Sequence, residues 1–132
     1  MNIAILGASH LTPVEEAKAA ALIYNLIRDA RKENKTIFTG DGEEGIDKIV
    51  RMFVGVTVVE ASDKAWEGQN GYKARNDAIA QAADFVYTIT TRVKNKACNE
   101  CEEKHHQQNG GCWTRRIARN KYGKKGGLFI IE

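Results

Sequence analysis

Apolar and polar positions alternate along this chain in two rhythms, and the rhythms take turns. Asn2–Leu6 is a short apolar run ending at Gly7, which reads as a buried strand. After it, Thr12 is a helix N-cap, Pro13 suits the first helical position, and Glu15 completes a capping box. From there to about Glu33, Ala19, Ile23, Leu26, Ile27 and Ala30 keep helical spacing. Thr36–Thr39 reads as a second strand, residues 45–53 as a second helix, and the β-branched run Val56–Glu60 as a third strand. A loop over residues 61–71 contains Trp66. The third helix spans about Tyr72–Ala83, with Ala74, Ala78, Ile79 and Ala82 expected as its packing face, and Phe85–Thr90 is the fourth strand. Thr114–Tyr122 reads as the last helix, with Gly123 as its C-cap, and Leu128–Ile131 as the fifth strand.

Strands separated by helices imply parallel pairing through right-handed crossovers, with helices on both faces of the sheet. The fold class is therefore α/β: one three-layer Rossmann-like domain over residues 1–132, with a five-stranded parallel sheet. The expected strand order is 3-2-1-4-5, with 2-1-3-4-5 as the alternative; each has a switch point beside strand 1. Residues 91–111 interrupt the rhythm. They show no apolar periodicity, and a structureless segment of that length either has a function or is held by something.

Composition narrows the class. The chain has 132 residues, 42% hydrophobic and 28% charged, which suits one globular domain and not a disordered chain. No apolar run approaches the roughly 20 residues needed to span a bilayer, and the first residues lack the basic lead-in of a secretory signal. The three cysteines, an odd number clustered between positions 98 and 112, favour a reducing cytoplasm over a secreted disulfide scaffold. Charge is lopsided. Residues 1–91 hold 10 Lys/Arg against 13 Asp/Glu, whereas residues 92–132 hold 10 against 4. The basic C-terminal third is either a solvated surface or a lure for an anion, a phosphorylated small molecule or a nucleic acid.

In a sheet of this kind ligands sit beyond the carboxyl ends of the strands. Three glycine-bearing turns fall there: Gly7-Ala8-Ser9, the stretch Gly40 to Gly45, and Gly110-Gly111 ahead of the last helix. Small residues allow close approach to the backbone, and helix N-termini offer N–H groups to an anion. There is no G-x-x-x-x-G-K-[ST] phosphate loop, no G-x-G-x-x-G after strand 1 and no G-x-S-x-G elbow, so P-loop, ordinary dinucleotide and triad-hydrolase readings find no support.

Cys98-x-x-Cys101 is followed by His105, His106 and Cys112, a spacing that suits one tetrahedral, structural zinc ion of the Cys₃His kind. Spacing does not separate His105 from His106 as the fourth ligand. The alternatives are three free thiols beside a surface histidine pair, or a reactive Cys112 activated at a helix N-terminus by Arg115 and Arg116.

The stretch Thr39-Gly40-Asp41-Gly42-Glu43-Glu44-Gly45-Ile46-Asp47 resembles the Gly-rich turn of the SLOG superfamily. So, in the same order, do Trp66, then Gly71-Tyr72-Lys73-Ala74-Arg75-Asn76, then Ala82-Ala83-Asp84-Phe85-Val86, and finally Gly110-Gly111-Cys112-Trp113-Thr114. That superfamily comprises compact Rossmann-like domains, including nucleotide sensors, DNA-processing relatives and phosphoribohydrolases of the Lonely-guy type. The resemblance implies a nucleotide or nucleotide-derived ligand in the strand-end cleft. Gly7, Ala8 and Ser9 would lie under it, Gly40, Asp41, Gly42 and Gly45 would form a phosphate-side turn braced by Asp47, and Gly110, Gly111 and Thr114 would form the last turn. Arg75 would supply charge and Asn76 hydrogen bonds. The hydrolase branch carries P-G-G-x-G-T-x-x-E, whereas here the turn lacks the proline and Arg116 or a neighbour stands where the acid is expected, which removes an expected general acid or base. Binding without turnover is the first expectation. Cleavage or transfer at a nucleoside N-glycosidic bond is the second, and nucleic-acid binding through the basic C-terminal region is the third. An oligomer is compatible with all three.

Overall fold

The computed structural model describes residues 1–93 and 97–132; residues 94–96, within the expected 91–111 loop, lie outside the described residues. The elements are β1 (Asn2–Gly7), α1 (Pro13–Lys32), β2 (Thr36–Gly40), α2 (Ile46–Arg51), β3 (Thr57–Val59), α3 (Tyr72–Ala82), β4 (Phe85–Thr91), α4 (Gly110–Tyr122) and β5 (Lys125–Ile131). They form one five-stranded, all-parallel sheet in the order β3-β2-β1-β4-β5. The first of the two expected orders is the one adopted. β1 lies at the centre, pairing Ile3 with Ile37 on one side and Leu6 with Thr88 on the other.

The period-two pattern of β1 divides the core. Ile3 and Ile5 face α1 and α2, packing with Ala19, Ile23, Ile27, Ile46, Val50 and Ile89. Ala4 and Leu6 face α3 and α4, packing with Ile79, Ala80, Ala83, Val86 and Ala118. Fully buried side chains such as Ile23 and Ile27 each contribute roughly 1.5–3 kcal/mol. The α1 start is capped as its sequence predicts: Thr12 Oγ1 accepts the Glu15 N–H at 3.2 Å, and Glu15 Oε1 accepts the Thr12 N–H at 2.8 Å. No helix among the described residues is long and apolar enough to cross a membrane.

Three expectations about the elements are corrected. β3 is a three-residue edge strand, largely exposed, because only Phe38, Thr39 and Gly40 of β2 are there to pair with it. α4 begins at Gly110, not Thr114, because Asn109 caps it: its side-chain oxygen accepts the N–H groups of Gly111 at 2.8 Å and Cys112 at 3.3 Å. The Gly-Gly pair is thus the first turn of the helix. The third correction is the buried face of α3. Ala74, Ala78 and Ala82 are exposed, and the buried residues are Arg75, Asn76, Ile79 and Ala80. Polar side chains take the inward positions because partners wait for them beneath the cleft.

Candidate ligand cleft and metal centre

At the carboxyl ends of β1, β2 and β4 a cleft of about 630 Å³ opens. Its floor is Leu6, Gly7, Ser9 and Gly42, with Asp47 beneath. One wall is Lys64, Trp66, Tyr72, Arg75 and Asn76; the facing wall is the unbroken run 107–111; His10, Glu43 and Glu44 stand at the rim. The turns that make the floor interlock. Gly45 has φ +80°, and a Cβ there would sit 2.1 Å from the Ala8 carbonyl oxygen, so only glycine lets the two turns touch. The Ile46 N–H then donates to that same carbonyl at 3.0 Å, fastening α2 under the cleft.

Of the residues singled out from sequence, Gly7, Ser9, Gly42, Asp47, Arg75, Asn76, Gly110 and Gly111 line the cleft. The other five support it from behind. Ala8 is fully buried and bonded through its N–H to Ile89. Gly40 leaves room for the Asp47 carboxylate and the Arg75 guanidinium. Gly45 closes the turn. Thr114 is buried in α4, its hydroxyl donating to the Gly110 carbonyl at 2.7 Å. Asp41 pairs with Arg75 and with Lys64, the latter at 2.6 Å, and accepts the Ala61 N–H at 3.1 Å. Burial pushes the Asp41 carboxyl up, but Lys64, the Ala61 N–H and Arg75 outweigh it and hold it below its ordinary value. Lys64, Tyr72, His10 and the amide side chains Gln107, Gln108 and Asn109 were not singled out. Only Asn109, an N-cap type directly before Gly-Gly, carried a local signal.

Arg75 is shared out internally. Its Nε donates to Asn76 Oδ1 at 2.6 Å and its Nη1 to the Val59 carbonyl at 3.0 Å and to Asp41, while its guanidinium lies 5.0 Å from the centre of the Tyr72 ring. The fork orients Asn76 so that its NH₂, which no partner among the described residues takes, is left for the cleft. Asp47 is the counterpart on the floor. Its Oδ2 accepts the Gly42 N–H at 3.4 Å and its Oδ1 is buried without a hydrogen-bond partner. Burial raises its pKa to about 6, against the pull of Arg75, Arg51 and the nearby N–H groups of Gly42 and Gly7.

The expected supply of free N–H groups at helix starts is largely used up. Tyr72 and Lys73, opening α3, donate to the carbonyls of Ala65 and Trp66, and α1 and α4 are capped by Thr12 and Asn109. Both cations in the wall, Arg75 and Lys64, are paired with Asp41. With Glu43, Glu44 and Asp47 also lining it, the cleft is polar and its carboxyl groups outnumber its cations. The more exposed of its two aromatic residues is Trp66, 37% exposed, which meets Trp113 edge to face at a centroid distance of 5.4 Å and lies against Gly110.

Behind the 107–111 wall lies the cysteine–histidine cluster. One ligand atom from each of Cys98, Cys101, His106 and Cys112 lies within 4.8 Å of the others, all four residues are buried, and the cysteines are not in disulfides. The cluster could hold a metal ion. The histidine ambiguity is resolved by burial: His106 is 0% exposed, whereas His105 is exposed and outside the cluster. His106 Nδ1 lies 3.0 Å from the Gln107 carbonyl oxygen. A carbonyl can only accept, so the proton belongs on Nδ1, and Nε2 presents its lone pair; that Nε2 is buried with no hydrogen-bond partner. An orphaned imidazole nitrogen among three thiols is what a ligand set looks like. Hydrogen bonding from Cys112 and the neighbouring Arg115 guanidinium hold the Cys101 thiol below its ordinary value. Cys112 itself is fully buried, and its hydrogen bond to Cys101 together with burial pushes its pKa up, which removes the reading of Cys112 as an activated nucleophile.

Comparison with family models, with curated proteins and with solved structures finds no match.

Proposed function

We propose that this chain binds a nucleotide or nucleotide-derived small molecule in the strand-end cleft and does not turn it over. The observation that carries the reading is the convergence on one cavity of a small-residue floor, an exposed indole and a set of amides. Gly7, Ser9 and Gly42 admit a ligand to the backbone, Trp66 offers a face for a flat ring, and Asn76, Gln107 and Gln108 offer paired donors and acceptors. The order of motifs resembling the SLOG superfamily supports the same ligand class. The excess of carboxyl groups over cations in the cleft favours a ligand of low charge, a mononucleotide or cyclic nucleotide over a triphosphate. Binding without turnover is supported by Ile117, an apolar residue at the position where the pattern P-G-G-x-G-T-x-x-E, laid over residues 109–117, places its acid. Glu100 on Arg116 and Glu102 on Arg119, the latter at 2.7 Å, also blunt the basic face that nucleic-acid binding would need. The test is mass spectrometry of small molecules that co-purify with the protein, followed by calorimetric titration of mono-, di-, tri- and cyclic nucleotides. Micromolar binding of a mononucleotide supports the reading, and no binding of any member removes it.

In the same reading, the ion held by Cys98, Cys101, Cys112 and His106 is one structural Zn²⁺. Three thiolates and an imidazole suit that ion, and a closed four-ligand set leaves no position for a substrate. Elemental analysis of protein purified without added metal should give one zinc per chain. A specific observation favours a second reading, cleavage of a nucleoside N-glycosidic bond: Asp47, buried under the cleft, has a pKa raised into the range of a general acid. Release of free base from a mononucleotide, abolished by Asp47→Asn, would establish it.

A further inference from the structure

The cleft and the metal cluster share a length of chain. Metal ligands His106 and Cys112 bracket the five residues 107–111, and those five make up the whole of one cleft wall. We propose that the bound ion sets the position of this wall, so that ligand capture in the cleft is metal-dependent. The proposal rests on the zinc and ligand readings above and concerns how the second is controlled.

The connections are short and run through few atoms. The Gln107 carbonyl accepts the His106 Nδ1 proton and, at 2.7 Å, the Thr90 hydroxyl; the Gln107 N–H donates to the Thr91 carbonyl at 3.1 Å. The imidazole that would bind the ion through Nε2 is thus fastened, through its other nitrogen, to the first residue of the wall. At the far end, Asn109 Oδ1 holds the N–H groups of Gly111 and of the ligand Cys112 together. The Gly111 carbonyl takes the Thr88 hydroxyl at 2.7 Å, which ties the wall to the end of β4.

Otherwise the segment 97–105 is held by polar contacts, among them Arg92 Nη1 donating to the His105 carbonyl at 2.7 Å and the Asn99 N–H donating to Gln108 Oε1 at 2.9 Å. Among the described residues 97–105 there is no helix or strand, and the apolar packing of the three cysteines extends only to Leu128. The pairs of Glu100 with Arg116 and Glu102 with Arg119 lie at or near the surface, where such pairs contribute little. Without an ion, His106 Nε2 stays buried and unsatisfied beside three close-packed sulfurs, a costly arrangement that opening of the segment relieves. Opening pulls on the wall through Gln107 and Cys112, against the hydrogen bonds that tie it to Thr88, Thr90 and Thr91 of β4. Linkage then works in both directions: a ligand that needs the closed wall tightens metal binding by the same factor that the metal tightens ligand binding.

Hydrogen–deuterium exchange of the full chain tests this without any nucleotide. Zinc-loaded protein is compared with protein stripped by a chelator under reducing conditions. Residues 105–113 should exchange at least tenfold faster in the stripped protein, with Pro13–Lys32 unchanged, and emission from Trp66 and Trp113 should shift to the red. Unchanged protection at 105–113 overturns the proposal. So does loss of protection across the whole chain, because the ion would then hold the fold and not this wall. A second variant avoids the metal ligands: Asn109→Ala should keep one zinc per chain, speed exchange at 107–112 and hasten zinc loss to a chelator, and a zinc off-rate equal to wild type overturns the coupling. AMP titration of the zinc-loaded and stripped forms separates the readings. Binding by both alike overturns the proposal. Failure of AMP to bind the zinc-loaded form counts against the ligand reading alone, and the exchange result still decides the coupling. Protein that takes up no zinc overturns the metal reading and the coupling together.

Discussion

Arg75 and Asp41 form an ion pair at the root of the cleft, their side chains 6% and 12% exposed, that joins the first turn of α3 to the loop after β2. The resemblance to the SLOG superfamily implies that Arg75 is a contact for the ligand. In the structure it is first a clamp, holding Asp41, the Val59 carbonyl and Asn76 in place. Arg75→Ala leaves a partly buried carboxylate with only Lys64 and one N–H, and should lower stability by about 3 kcal/mol. Arg75→Lys should recover only part of this, because an ammonium cannot reproduce the fork. Urea denaturation of the three proteins measures it, and equal midpoints for wild type and Arg75→Ala would show the pair to be idle.

Asp47 makes stability depend on pH in an unusual direction for a carboxyl. Its folded pKa, about 6, lies above the unfolded value of 3.8, so the folded chain binds the proton more tightly. Its contribution is most favourable below pH 3.8 and declines as pH rises to about 6, where on the order of 3 kcal/mol has been lost. Asp41 works in the opposite sense and lower window, since its depressed pKa stabilises above its unfolded value and is lost on acidification. Asp47→Asn should therefore flatten the wild-type decline between pH 4 and 6, read as the difference between the two urea-midpoint profiles.

His105 and His106 should differ sharply despite being neighbours. His106→Ala removes a buried ligand and should weaken zinc retention more than about 100-fold, given that even outer partners of a metal site are worth 10–100-fold. His105→Ala leaves the cluster intact and should retain one zinc per chain. Competition with a chromophoric chelator reads both.

Trp66→Ala should weaken nucleotide binding by roughly 1–3 kcal/mol, about 5- to 150-fold in Kd, because its indole stacks on the base in the proposed complex. Stability should change less than affinity, since Trp66 lies on a loop and is partly exposed. Calorimetry against AMP and ribose 5-phosphate isolates the stacking, because only the first should lose affinity.

Local pattern sufficed for what local physics controls. The capping box at Thr12 and Glu15, the helical spacing of Ala19, Ile23, Ile27 and Ala30, and the apolar run of β1 each fix a conformation through neighbours a few residues away. Alternation of those elements restricts the sheet to parallel strands through the handedness of its crossovers. The choice of β3-β2-β1-β4-β5 over its alternative, the turning of Arg75 and Asn76 inward in place of Ala74 and Ala78, and the selection of His106 over His105 have a different origin. Each depends on a partner that local pattern does not specify: β4 beside β1 for the strand order, Asp41 for Arg75, and the three cysteines around His106. A polar residue is placed inside by the partner that satisfies it, and that partner is named only when the chain has folded.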